Sequence, residues 1–146
     1  MTRVLIADDL SPNAEAVFKQ NGIDVDVKVG MSPDELIACI GDYDGLAVRS
    51  ATKVTAAVLD AASKLKVVGR AGIGVDNIDV PLATQKGVVV MNTPFGNATT
   101  TAEHAVGMMF ALAREITAAN ASTQAGKWEK SRFMGTELTG KTLGLI

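Results

Sequence analysis

The sequence predicts an α/β fold, a flavodoxin-like, doubly wound, mostly parallel open sheet, and two observations carry that expectation. Short apolar runs alternate with helical stretches in the order β-α-β-α-β-α-β-α-β, the pattern of a parallel sheet with helices on both faces. The helical stretches also open on capping residues and close on glycine or asparagine-glycine, so the alternation is punctuated as well as periodic. In such sheets ligands sit beyond the carboxyl ends of the strands, near the point where the winding direction switches.

Val4 to Ala7 reads as a buried strand ended by Asp8-Asp9. Ser11-Pro12 supplies an N-cap with proline at the first helical position, and Asn21-Gly22 closes that helix. Ile23, Val25, Val27 and Val29 alternate with polar residues, as on a half-exposed strand. Ser32-Pro33-Asp34-Glu35 is a capping box that opens a second helix, which Gly41 ends. Leu46 to Val48 is a third strand, Thr55 to Ala62 a third helix and Leu65 to Val68 a fourth strand. Asp79 to Lys86 is a short helix stopped by Gly87, and Val88 to Met91 is the fifth strand.

After Pro94 the pattern changes. Thr100 with Glu103 offers a capping pair, and a long helix is expected from there to about Ala125, with Gly126 as its stop. Ala105 to Ala113 is apolar on every face, so both sides need cover, and the helix reads as a connector buried between domains or subunits. Trp128 is expected to pack the end of that helix onto its neighbour. Lys141 to Ile146 reads as the start of a new buried strand, which suggests a fragment of a longer protein.

Hydrophobic residues make up 47% of the 146 and charged residues 21%, which supports a packed core rather than disorder. Lys and Arg total 14 against 16 Asp and Glu, so no general basic field draws nucleic acid or an anionic membrane. Anion specificity must then come from particular side chains. Cys39 is the only cysteine, which removes an intrachain disulfide or cysteine metal cluster. The apolar run from Ala105 is far short of the ~20 residues that cross a bilayer. Acidic residues arrive by Asp8, too soon for a signal peptide, so a soluble cytoplasmic protein is expected.

The strand ends carry the chemistry. The third strand runs into Arg49-Ser50, a forked donor beside a hydroxyl, suited to phosphate or carboxylate, although a solvated loop arginine reads the same way. The fourth runs into Gly69-Arg70-Ala71-Gly72-Ile73-Gly74, where glycines let backbone N–H groups approach an anion and a second arginine joins the first. Gly72-Ile73-Gly74 is not a dinucleotide phosphate loop, because Asn77 stands at the third glycine position and Asp76 and Asp79 bring negative charge. Those aspartates are better suited to capping the next helix. Asn97 reads first as a helix cap, with a ligand contact as the alternative, and His104, the only histidine, reads as structural.

Val48 to Thr55, Val67 to Asn77, Val90 to Pro94, Gly126 to Glu129 and Phe133 to Leu138 together resemble the phosphoglycerate dehydrogenase branch of the D-2-hydroxyacid dehydrogenase family. The likeness runs from Val4 to Ile146; the glycine loop marks the superfamily, and Arg49-Ser50 with Arg70 marks the branch. The resemblance implies a substrate-binding domain over residues 1–96. Residues 97–146 would be the connecting helix and the beginning of an NAD-binding domain, stopping before its glycine fingerprint. Arg49, Ser50 and Arg70 would face the phosphate of 3-phosphoglycerate, and the amides from Ala71 and Gly72 to Gly74 its carboxylate, with Asn97 nearby. Ile73 would lie towards the cofactor, without the hydroxyl the family often places there. The implied reaction is NAD-dependent oxidation of 3-phosphoglycerate to 3-phosphohydroxypyruvate, the entry to serine biosynthesis, in a homodimer or homotetramer. The family's catalytic histidine, glutamate and arginine lie downstream, so no catalytic residue is expected in this chain and the piece alone is expected to be inactive.

Three rivals remain. A phospho-acceptor receiver domain shares the sheet and the early Asp8-Asp9 pair, but needs an aspartate where Arg49 stands, so Asp8 and Asp9 read as strand-end caps. A stand-alone module that binds a phosphorylated acid is the second. Another 2-hydroxyacid dehydrogenase, acting on glyoxylate or lactate, is the third, and paired arginines weigh towards a dianion instead.

Overall fold

A computed structural model describes residues 2–145, and two compact units meet in sequence between Gly96 and Asn97. The first contains five strands: β1 (Arg3–Ile6), β2 (Asp24–Val27), β3 (Gly45–Val48), β4 (Val67–Arg70) and β5 (Val89–Met91). All pair in parallel, in the order β2-β1-β3-β4-β5. From β1 the chain winds outward to β2, then returns to β3 and winds the other way. The switch therefore falls between β1 and β3.

Four helices connect the strands: α1 (Pro12–Gln20), α2 (Pro33–Cys39), α3 (Ala56–Ala61) and α4 (Val80–Gln85). Their starts follow local chemistry. In the Ser32 box, Oγ of Ser32 accepts from the Glu35 N–H at 3.3 Å and Oε2 of Glu35 accepts from the Ser32 N–H at 2.8 Å. Asp79 caps α4 by accepting from the Leu82 N–H at 3.1 Å. The sheet's central residues, Leu5, Leu46, Val48 and Val68, are buried against Ile40 of the turn after α2 and Val58 and Leu59 of α3. A polar group closes one margin: Tyr43 is 1% exposed and its hydroxyl donates to Asp26 at 2.7 Å. Arg3 pairs with the same carboxylate at 2.6 Å. Tyr43→Phe is expected to cost about 0.5–1.5 kcal/mol for that one hydrogen bond, read as a lower urea midpoint with an unchanged slope.

The fourth strand begins two residues later than expected, at Val67. Leu65 is buried, but the ladder holds Gly69 opposite Met91, and a Cβ there would meet nothing within 4 Å. A glycine in a strand flanked by two neighbours is tolerated because the pairing, not its side chain, fixes it.

In the second unit, the single long helix expected is two: α5 (Ala98–Ala113) and α6 (Ile116–Gln124). Glu115 takes a left-handed conformation, φ 51°, between them. The Ala113 carbonyl accepts from the Thr136 N–H at 2.7 Å, a capping bond from outside the helix that falls where the helix stops. Thr100 does not cap, since the helix starts at Ala98 with Asn97 at the N-cap position and Thr101 N–H bonded to the Asn97 carbonyl at 2.9 Å. Neither helix buries a residue within this unit, and Leu112 is 83% exposed. Trp128, expected to pack, is 82% exposed. Residues 141–145 join no sheet, so the closing strand is not formed among the described residues; a strand needs a neighbour to satisfy its backbone. Ile146, its last member, lies outside the described residues. No helix among them is long and apolar enough to cross a membrane.

Candidate functional site

At the carboxyl ends of β1 and β3, on the switch, lies a cleft of about 680 Å³. One wall is the segment after β2, Val29 to Pro33, and the other is the segment after β3, Arg49 to Lys53, with Asp8 and Leu36 behind them. Arg49 and Ser50 are exposed at its edge. Among the described residues the Arg49 side chain makes one hydrogen bond, from Nη1 to the Asp9 carbonyl at 3.2 Å, which leaves four of a guanidinium's five N–H donors without a partner there.

The backbone beneath Arg49 is held from two directions. Asp8 is buried, 4% exposed, and its carboxylate accepts from the Arg49 N–H at 2.6 Å, the Thr52 N–H at 3.1 Å and the Thr52 hydroxyl at 2.6 Å. Nδ2 of Asn77 donates to the carbonyls of Arg49 at 2.8 Å and Thr52 at 2.7 Å. Burial raises the Asp8 pKa, and the Thr52 hydroxyl with the Arg49, Thr52 and Ala51 amides more than offsets it, leaving the group below its ordinary 3.8. A carboxyl depressed in the folded state stabilises at pH above its unfolded value and loses that contribution as pH falls through the folded one. The Arg49 and Thr52 amides are therefore expected to keep their exchange protection down through the ordinary 3.8 and to lose it only as pH falls further, with Asp8→Asn showing no such acid step.

Arg70 lies in the next loop with its side chain 12% exposed. Its Nε donates to the Arg49 carbonyl at 3.3 Å, Nη1 donates to the Gly74 carbonyl, and Nη2 faces Asp76 at 4.0 Å. The two arginine loops are thus tied together, and Arg70 keeps donors beyond its two carbonyl partners. The glycines around it have a steric reason. A Cβ on Gly72 would lie 3.1 Å from Arg70 Nη1, and one on Gly74 would lie 2.9 Å from Asp76 Oδ1.

The N–H groups of Ala71 and Gly72 are already donated, to the carbonyls of Val48 at 2.8 Å and Arg70 at 2.9 Å. Among the described residues, those of Ile73 and Gly74 have no protein acceptor, so the loop's available amides are the later two of the four from Ala71 to Gly74. Ile73 is 41% exposed, its carbonyl accepting from Asn92 Nδ2 at 2.7 Å. Asn97 begins α5 in the second unit and makes no side-chain cap bond. His104 is exposed on the same helix.

Residues 4–139 match the family model described as D-isomer specific 2-hydroxyacid dehydrogenase, catalytic domain. The chain belongs to this family. Among relatives of this dehydrogenase family, the human D-3-phosphoglycerate dehydrogenase is 54% identical over the whole chain and that of Methanocaldococcus jannaschii 48%. The chain spans 27% and 28% of the lengths of those proteins. Among solved structures, the NAD+-bound 3-phosphoglycerate dehydrogenase of Entamoeba histolytica is 32% identical, with a TM-score of 0.68 over 77% of this chain and 39% of that one. The PH0520 protein of Pyrococcus horikoshii aligns at 0.83 with 31% identity, over 94% of this chain and 42% of that one.

For a member of the 2-hydroxyacid dehydrogenase family, the residues that sequence reasoning did not assign to the site are Thr52, Asn77 and Asn92, and Asp8 was read only as a strand-end cap. Each acts across a long separation, 44 positions from Thr52 to Asp8 and 25 from Asn77 to Thr52. Spacing along the chain carries no trace of such pairs.

Proposed function

We propose that this chain is the N-terminal part of an NAD-dependent dehydrogenase that oxidises 3-phosphoglycerate to 3-phosphohydroxypyruvate, and that its first unit holds the substrate. The observation that carries the reading is the Arg49–Ser50 edge of the switch-point cleft, braced to the Arg70 loop through the Arg49 carbonyl. A phosphate dianion suits a forked guanidinium with an adjacent hydroxyl, and a second guanidinium beside it adds charge without adding flexibility. The Ile73 and Gly74 amides would then receive the carboxylate end. The relatives named above support the substrate class, since their names specify 3-phosphoglycerate.

NAD supplies the hydride acceptor in this reading, but residues 70–79 do not fit a dinucleotide cradle. The space beside Gly72 and Gly74 is filled by the Arg70 guanidinium and the Asp76 carboxylate, so a pyrophosphate would meet a carboxylate and a filled loop. Cofactor binding is assigned to protein beyond this chain, with Ile73 offering at most an apolar contact. In the same reading, residues 97–146 begin the NAD-binding domain, the acid–base residues lie elsewhere in the enzyme, and the whole protein is a cytoplasmic homodimer or homotetramer.

The test is a calorimetric titration of this chain with 3-phosphoglycerate, glycerate and NAD. Binding of 3-phosphoglycerate alone is expected, and Arg49→Ala and Arg70→Ala should each weaken it by about 1.5–3 kcal/mol. Equal binding of glycerate would point to another 2-hydroxyacid, and binding of NAD would overturn the assignment of the cofactor elsewhere.

A further inference from the structure

The Arg49–Ser50 edge raises an electrostatic puzzle, because the buried carboxylate of Asp8 lies directly beneath the group read as an anion receptor. By Coulomb's law alone that negative charge opposes an anion. Its contacts show what it does instead. The turn from Arg49 to Thr52 has no secondary structure to fix it, yet the N–H and C=O of both end residues are fixed by side chains. Asp8, from the end of β1, takes the two N–H groups and the Thr52 hydroxyl. Asn77, from the loop after β4, takes the two carbonyls.

We infer that Asp8 and Asn77 are positioning residues that set the anion affinity of the Arg49–Ser50 turn by clamping its backbone from opposite sides. The inference rests on the anion reading proposed above. A clamped turn presents Arg49 and Ser50 from one fixed frame, so less freedom is lost when a ligand arrives. With one side of the clamp removed, the turn must be ordered by the ligand itself.

Asp8→Asn separates the two physical effects by sign. It removes a negative charge near the anion, which alone would tighten binding. It also places an amide donor against N–H groups, which loosens the turn. The experiment is calorimetric titration of the chain with 3-phosphoglycerate and with glycerate, for the parent and for Asp8→Asn, Asn77→Ala, Thr52→Val and Thr52→Ser. The expected result is about tenfold weaker 3-phosphoglycerate binding in the first three, the effect of losing one well-made hydrogen bond from the clamp. Thr52→Ser, which keeps the hydroxyl, should stay near the parent, and amide shifts should change only near residues 49–55. The Thr52 pair carries the test if the other variants do not fold. Tighter or unchanged binding in Asp8→Asn, or equal loss in Thr52→Val and Thr52→Ser, would overturn the positioning role alone. A parent that treats 3-phosphoglycerate and glycerate alike would overturn the anion reading and this role together.

Discussion

Leu46→Ala is expected to lower the stability of the first unit by about 2–5 kcal/mol. Leu46 lies on β3, the middle strand of the sheet, with Leu5 on one side and Val68 on the other in the ladder. It is 2% exposed and belongs to the cluster that joins the sheet to α2 and α3. Truncation removes about three buried carbons and leaves a space that parallel strands, pinned by hydrogen bonds on both sides, cannot collapse to fill. For a domain of this size each lost kcal/mol lowers the melting temperature by roughly 4–8 °C, so calorimetry will resolve the change. A loss under about 1 kcal/mol would mean that the core around β3 is loosely packed.

Gly135→Ala should have an effect of similar size in the second unit. Gly135 has φ +60°, and a Cβ built there lies 2.5 Å from the Ala113 carbonyl oxygen and 2.9 Å from the Arg114 Cα. Both obstacles are backbone, so neither can swing aside. The left-handed conformation costs an alanine about 1–2 kcal/mol, and overpacking adds about 1–3 kcal/mol. The expected consequence is that residues 133–136 detach from the end of α5. The Thr136 amide, donated to Ala113, should lose its exchange protection, while amides of the five-stranded sheet keep theirs. Retained protection at Thr136 would contradict the account of how α5 ends.

The parts of the fold that were legible in the sequence are those fixed by neighbours in the chain. The Ser32–Glu35 box formed as read because all its donors and acceptors lie within four residues. The strand count and parallel order followed from apolar runs separated by capped helices, since that alternation has few topological solutions. What failed depended on distant partners. Nothing local at Arg114-Glu115 announces a helix break; there is no glycine or proline, and the capping bond at that helix end comes from Thr136. The start of α5 was misplaced for the opposite reason, because Thr100 and Glu103 carry a good local capping signal that falls inside the first turns of the helix.

The candidate site divides along the same line. Arg49 and Ser50 were visible because a strand end at a winding switch is a place where ligands bind, and that is where the cleft lies. Arg70 was visible as a second cation in a glycine-rich loop, but not its hold on the Arg49 and Gly74 carbonyls. Asp8 was read as a strand-end cap and turned out to cap a different strand's turn. Asn77, used only to reject a phosphate loop, proved to be the side chain under that turn.

The central claim, that the Arg49–Ser50 edge receives a phosphate, is tested most directly by a crystal structure of this chain soaked with 3-phosphoglycerate. The account predicts phosphate density within hydrogen-bond distance of the Arg49 guanidinium and the Ser50 hydroxyl, and none in the same place after a glycerate soak. A phosphate bound elsewhere on the first unit, with Arg49 still bonded only to the Asp9 carbonyl, would contradict it.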